Sequence, residues 1–382
     1  MTADHSPNGP CSSVAARLVA DLPASSFACV MATGIISIAA ALLNFGRTAA
    51  MLLSVNAIAF VLLWVLMLLR GMYCSSAFIA DLGDHRRGPG LLTIVAGVNV
   101  LGDQIAQLTS HQGIAVTLWL LGWALWVGLI YCLFASFAIR AAKPLITAGL
   151  DGTWLLIVVA PESSAILGAQ IAGSFSSQKF FVFVSLSLCL LGAAFYLVII
   201  TLILYRWLFE PMAPSEFTPA YWINMGAAAI TALAGARLSV AVVSDPKLAS
   251  IGGCLLGMAW FFWSVASWWI PLLAVLMVWR RVIGRLRLVY QFDYWSLVFP
   301  LGMYAVATLS FARAIDAEFL TFVACCFLFA AIGAWCLVVI GMVRHFVDFD
   351  FGPFALNGRP NSSRSASAEQ ASDGRFEQSD DK

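Results

Sequence analysis

The chain has 382 residues, of which 61% are hydrophobic and 11% charged, with a net charge of +1 and a mean hydropathy of +0.90. Soluble domains carry roughly a quarter charged residues, so a water-soluble fold is excluded, and a net charge near zero gives no reason to expect nucleic acid or an acidic partner. The nine cysteines are scattered, most of them in apolar runs (Cys29, Cys132, Cys189, Cys325, Cys326, Cys336) and none in a CxxC pair, which points to buried free thiols and gives no sign of a disulfide framework, a metal site or a cofactor.

Residues 1–25 are polar and bear Pro and Ser, without the basic region, apolar core and small-residue cleavage site of a signal peptide. Beyond them, runs long enough for a bilayer core, about 20 apolar residues each, fall at 26–44, 51–69, 90–108, 114–139, 153–172, 180–205, 219–243, 253–279, 294–312 and 318–343. The connections carry breakers and charges: Asp84-His85-Arg86-Arg87-Gly88-Pro89, Lys143-Pro144, Glu210-Pro211-Met212-Ala213-Pro214 and Asp245-Pro246-Lys247. After about residue 356 the chain turns to Ser, Asp, Glu and Gln, a composition that cannot bury a core, and residues 346–382 are expected to be a cytoplasmic, largely disordered tail. The fold class is therefore all-α integral membrane, with a ten-helix domain over 26–345.

Lys and Arg set the orientation. If the termini and the even-numbered connections share one side, that side holds sixteen of them, among them Arg70, Arg86, Arg87, Arg140, Lys143, Arg206, Arg280 and Arg344. The other holds four: Arg47, Lys179, Lys247 and Arg313. Both termini are expected in the cytoplasm, with the protein in the cell membrane.

An internal repeat is also legible. The odd-numbered spans have helix-weakening centres at Gly34, Gly97, Pro161, Gly226 with Gly235, and Pro300 with Gly302, about 63 to 71 residues apart. They also hold most of the polar side chains: Thr33 and Ser37; Asn99, Asp103 and Gln104; Glu162, Ser163 and Ser164; Asn224, Thr231 and Arg237; Ser296, Thr308 and Ser310. Such groups at membrane depth face protein or a water-filled cavity. Five hairpins, each with a polar, kinked first helix and an apolar second one, predict five inner helices around a pore, ringed by five lipid-facing ones. Thr33, Ser37, Asn99, Pro161, Ser163, Asn224 and Thr231 are candidate pore-lining residues. Close packing through small residues is the competing explanation for any one of them.

Asp103, Glu162 and Arg237 are the charged residues within spans, and all three fall on odd helices. A charge at the bilayer centre costs at least about 2.5–3.5 kcal/mol on insertion scales, which makes the three candidates for a proton or selectivity site. Glu162, in mid-span after Pro161, is a candidate for coupling protons to an anion; Arg237 for drawing anions to an outer vestibule. Structural pairing of Arg237 with Asp103 or Glu162 is the alternative.

Three segments read together: Ser26-Phe27-Ala28-Cys29-Val30-Met31-Ala32-Thr33-Gly34-Ile35-Ile36-Ser37 in the first span, Tyr221-Trp222-Ile223-Asn224-Met225-Gly226-Ala227 with Leu233-Ala234-Gly235 in the seventh, and Trp295-Ser296-Leu297-Val298-Phe299-Pro300-Leu301-Gly302-Met303 in the ninth. From about residue 22 to 345 the chain resembles the tellurite-resistance/dicarboxylate transporter family, which includes plant slow-anion-channel proteins and fungal malate transporters. The resemblance implies five hairpins around a central pore, a homotrimer, an anionic substrate and a phenylalanine on the ninth helix plugging the pore; Phe299, directly before the kinking Pro300, holds the matching position. A C4-dicarboxylate such as malate, with possible proton coupling, is the leading substrate expectation. A passive anion channel or a sulfite exporter is the alternative.

A membrane enzyme is the competitor from another class. Asp81-Leu82-Gly83-Asp84 superficially resembles the paired aspartates of Mg²⁺-diphosphate chemistry, which needs further acidic residues arranged around the metal, and a solvated loop is expected there. His5, His85, His111 and His345 lie outside or at the ends of spans, which removes a b-type haem, and there is no Walker-type loop.

Overall fold

The computed structural model describes residue 19 and residues 22–174, 178–285 and 290–351. Most of the expected N-terminal segment and the tail beyond 351 lie outside them. Ten long helices follow one another: α1 (Ala28–Leu42), α2 (Gly46–Tyr73), α3 (Thr93–Leu108), α4 (Gln112–Ile139), α5 (Leu156–Ala172), α6 (Gln178–Phe209), α7 (Ile223–Ala241), α8 (Gly252–Val282), α9 (Trp295–Ala314) and α10 (Leu320–Phe351). Among the described residues, nine are long and apolar enough to cross a membrane, counting the 3₁₀ turns that lead into several of them. The 15 residues of α1 rise only about 22 Å at 1.5 Å per residue, and the turn at Ala24–Phe27 extends it at its start.

The odd helices form a closed ring. α1 packs on α3, α3 on α5, α5 on α7, α7 on α9, and α9 returns to α1. Each even helix lies against its own hairpin partner and the next odd helix round the ring: α2 on α1 and α3, α4 on α3 and α5, α6 on α5 and α7, α8 on α7 and α9, α10 on α9 and α1. The two shells differ as their sequences demand. Of the most apolar stretch of each helix, 83–89% is buried in α3, α5, α7 and α9, against 17–44% in α2, α4, α6, α8 and α10. Exposed Ile58, Leu62, Val65, Phe183, Trp268, Phe322 and Leu337 give the outer shell the apolar surface that lipid requires. The ring closes because its helices carry small residues where they meet. At Gly34 a Cβ would stand 2.6 Å from Val100 Cγ1 of α3 and 2.9 Å from Asn56 Nδ2 of α2, so a larger residue there would force the helices apart.

The repeat extends to arginine. Arg70, Arg206 and Arg280, near the ends of α2, α6 and α8, are buried, while Arg140 and Arg344, after α4 and in α10, are exposed. All five stand at one face of the bundle, the face where the odd helices begin. Arg70 is paired to Asp81 at 2.6 Å, and Arg87 reaches the same carboxylate at 3.0 Å. Asp81 belongs to a short helix, Ser75–Gly83, and is buried. The solvated loop expected at Asp81–Asp84 is therefore an ion-pair knot: with Arg70 buried, Asp81 is buried beside it because an uncompensated buried guanidinium costs more than desolvating a carboxylate to pair with it. Asp84 accepts from the backbone N–H groups of Arg86 (2.8 Å) and Arg87 (3.0 Å), closing the turn.

Candidate functional site

Three spaces lie at successive depths along the odd helices. Where the odd helices begin, a vestibule of about 400 Å³ is lined by one segment from each of the five entry turns, including Ser25, Arg86, Arg87, Asp151, Thr218 and Asp293. At their far ends a second vestibule of about 430 Å³ is walled by α5, α7 and α9, through Gln170, Arg237, Ser310 and Arg313 among others. Between them lies a cavity of about 10 Å³, room for about one water. Every odd helix contributes to it: Ile35 from α1, Asn99 and Asp103 from α3, Ser163 from α5, Ile230 and Leu233 from α7, and Met303 from α9. The two ends are wide and the waist is tight.

Helical periodicity identifies the lumen face of α9. Met303 lines the waist and Ser310, seven residues on, lines the far vestibule; Phe299 is four residues before Met303 and so shares that face. It is buried, 2% exposed. Pro300 turns the other way, toward α7, where a Cβ on Gly226 would come within 2.8 Å of Pro300 Cγ.

The polar residues of the odd helices divide into two groups. Asn99 and Ser163 border the waist, but the Asn99 amide lies against Gly122 of α4, where a Cβ would stand 2.5 Å from Oδ1, and its Nδ2 donates to the hydroxyls of Ser163 (3.2 Å) and Ser164 (2.7 Å). Thr33 and Ser37, expected on the pore, turn outward instead. Thr33 Oγ1 accepts from the Trp335 indole of α10 at 2.9 Å, and the Ser37 hydroxyl donates to the Ala49 carbonyl of α2 at 2.7 Å. At membrane depth a hydroxyl bonded to the neighbouring helix is as well satisfied as one facing water, so polarity alone does not distinguish the two faces. Thr231 donates to Ala227 of its own helix at 2.9 Å. Asn224 is buried in the first turn of α7, its side-chain amide without a hydrogen-bond partner, while its backbone carbonyl accepts from Tyr196 at 3.3 Å.

Glu162 also turns away from the waist. Although Ser163 beside it reaches the cavity, the Glu162 carboxyl lies against Gly192 of α6, where a Cβ would stand 2.5 Å from Oε1. Its polar neighbours are the Cys189 thiol of α6 and the Thr231 hydroxyl of α7; neither meets strict hydrogen-bond geometry with it, and the carboxyl is fully buried. Pro161 is buried in the same helix.

Asp103 and Arg237 meet at 2.7 Å, with side chains 5% and 13% exposed. Asp103 borders the waist and Arg237 the far vestibule. The sequence offered this pairing as one of two alternatives. The apolar lining (Ile35, Ile230, Leu233, Met303) was not singled out, yet part of it is periodic with residues that were: Ile230 and Leu233 precede Arg237 by seven and four. At the near face, His85 stacks on Phe137 with ring centres 4.2 Å apart. Burial lowers its pKa and the nearby Arg140 charge adds to this, so it contributes no fixed positive charge there.

A closed helix ring, buried in an apolar jacket, with a polar mouth at each face and a narrow waist, defines a membrane channel or carrier. The apolar jacket makes it multi-pass. The chain belongs to the voltage-dependent anion channel family, whose pattern it matches over residues 21–343. Among similar proteins, an uncharacterized membrane protein of Mycobacterium tuberculosis is 33% identical over 150 residues, which are 39% of this chain and 76% of that one. Two uncharacterized transporters of Methanocaldococcus jannaschii are 22% identical over 304 residues (76% of this chain, 84% of the relative) and 24% over 298 (74% and 82%). Membrane transport of anions, rather than catalysis, is the activity class these relationships support.

Proposed function

We propose that this protein moves a small anion along the lumen of the five-helix ring, with Phe299 as the constriction and a C4-dicarboxylate such as malate as substrate. The observation that carries the reading is the alignment of two vestibules with a waist to which all five odd helices contribute. At the near mouth Arg86 and Arg87 are paired with Asp151 (3.6 Å) and Asp81 (3.0 Å), with Asp293 beside them, so the charges there balance; at the far mouth Arg313 stands beside the Arg237–Asp103 pair and supplies the positive charge that attracts anions. Phe299, buried on the lumen face one turn from Met303, presents an apolar ring to the path, the arrangement of a hydrophobic gate. The Arg-rich face is the cytoplasmic one, the membrane is the cell membrane, and the resemblance to the dicarboxylate transporters supports a homotrimer.

Two modes of transport follow. In a proton-coupled carrier, Glu162 takes up the proton and relays it through the contact of α5 with α6 and α7. In a passive anion channel or sulfite exporter, Glu162 is a packing residue. The turn of its carboxyl toward Gly192 and away from the waist favours the passive mode. Flux of malate, sulfite and chloride into proteoliposomes, with and without an inward proton gradient, separates the two: accumulation only with the gradient, lost in Glu162→Gln, belongs to the carrier. Phe299→Ala is expected to raise downhill flux by about tenfold, a barrier change of about 1.4 kcal/mol. Unchanged flux in that variant removes the gate from this position.

A further inference from the structure

Asp103 is on α3 and Arg237 on α7, and these two helices are not neighbours in the ring. α5 stands between them and packs on both. Their ion pair therefore crosses the lumen in front of α5 rather than stitching two touching helices. Its two ends open on different spaces: the carboxylate borders the waist, and the guanidinium borders the far vestibule. Arg313, which shares that vestibule and donates to the Leu42 carbonyl at 2.9 Å, adds a second positive group to the same mouth.

We propose that the Asp103–Arg237 pair is a latch across the far end of the lumen, opened by a small anion that takes the place of Asp103 on the guanidinium. The inference rests on the anion-transport reading and names a second closure, at the opposite end of the waist from Phe299. Charge makes the exchange selective. A planar guanidinium accepts a carboxylate, sulfite or similar oxyanion in the geometry in which it accepts Asp103. A cation gains nothing at Arg237, whereas an anion replaces one acceptor with another and leaves the net pairing of the arginine unchanged. Until that exchange occurs, the pair spans the entrance to the waist and closes it. The waist, with room for about one water and lined largely by Ile35, Ile230, Leu233 and Met303, does not accommodate the released carboxylate, which swings instead toward the far vestibule of about 430 Å³.

The alternative is a static brace, and flux measured beside thermal unfolding distinguishes the two. Asp103→Asn removes the competing charge and retains the shape. The latch predicts that the half-saturating concentration of malate or sulfite falls by about tenfold, equivalent to about 1.4 kcal/mol, while the unfolding temperature falls because a buried pair is lost. Arg237→Gln strands the carboxylate at the entrance and reduces flux, and adding Asp103→Asn to it restores flux in part. Asp103→Ser serves as a second charge-removing variant, read in the same way. A brace predicts that flux and unfolding temperature fall together in every single variant with no restoration in the double, and that result overturns the latch. Unchanged flux in Asp103→Asn, with the wild type transporting, overturns the latch alone. A wild type that carries none of the anions overturns both the latch and the transport reading.

Discussion

Glu162 and Gly192 illustrate how one residue's chemistry is set by another's absence of a side chain. The carboxyl lies where a Cβ on residue 192 would stand, 2.5 Å from Oε1 and 2.8 Å from Cγ and Cδ, so α6 accepts the glutamate only because it carries glycine at the crossing. Gly192→Val overpacks this contact and is expected to destabilise the protein by about 1–3 kcal/mol, seen as a lower unfolding temperature in detergent. Shortening the opposing side chain with Glu162→Ala should recover much of the loss, because the two residues share one space and their effects are not additive. A double variant no more stable than Gly192→Val would mean that the carboxyl does not occupy this gap. The same pair of variants bears on function, since a carboxyl that only fills space leaves the pH dependence of flux unaltered when it is replaced by Gln.

At the scale of the element, the turns that lead into the odd helices are pinned by arginines from the even ones. Arg206, in the last turns of α6, donates to the Leu150 carbonyl before α5, to the Tyr221 hydroxyl at 2.6 Å and to Glu216 at 3.3 Å. One buried guanidinium thus ties the ends of three helices, two of them in the ring. Arg206→Ala leaves those acceptors unpaired and is expected to cost about 1–3 kcal/mol; Arg206→Lys keeps the charge, loses the fork and should recover only part. Equal unfolding temperatures for Arg206→Ala and wild type would show that the pinning contributes nothing. The helices themselves were legible because a span is a long apolar run, and the two shells because polar residues and helix weakeners alternate between them. Side-chain direction was less so. The sequence marks Thr33 and Ser37 as polar groups at depth just as it marks Asn99 and Ser163, but only the partner helix shows that Trp335 and Ala49 claim the first two. Asp81 was hidden for a related reason: its partner Arg70 lies eleven residues away across a helix end, and a short acidic stretch between spans looks solvated until the two are brought together. The Met303 and Ile230 lining was missed because apolar residues in an apolar chain carry no mark beyond their helical spacing.

For the whole molecule, five parallel odd helices put every entry turn on one face and every exit on the other. This arrangement makes the repeat and the arginine distribution one fact rather than two. Each even helix returns the chain to the Arg-rich face, where Arg70 holds Asp81 ahead of α3 and Arg206 holds the turn into α7, and the positive-inside rule makes that face the one proposed as cytoplasmic. The opposite face retains few cations, and there Lys179 is paired with Asp245 at 3.2 Å. That carboxylate is held below its ordinary pKa by the Lys247 backbone N–H and then by Lys179 itself. The orientation is open to direct measurement. In a background whose native cysteines are replaced, Lys143→Cys, exposed between α4 and α5, should react with a membrane-impermeant maleimide only after intact cells are permeabilised. Ser110→Cys, exposed between α3 and α4, should react at once. Labelling in the reverse order would invert the protein in the membrane and put Arg237 and Arg313 at the inner mouth; equal labelling of both in intact cells would break the parallel arrangement of the odd helices and with it the lumen. The first pattern alone keeps the narrow, arginine-lined vestibule of α5, α7 and α9 facing outward, where an anion arriving from outside meets Arg237 before it meets Phe299.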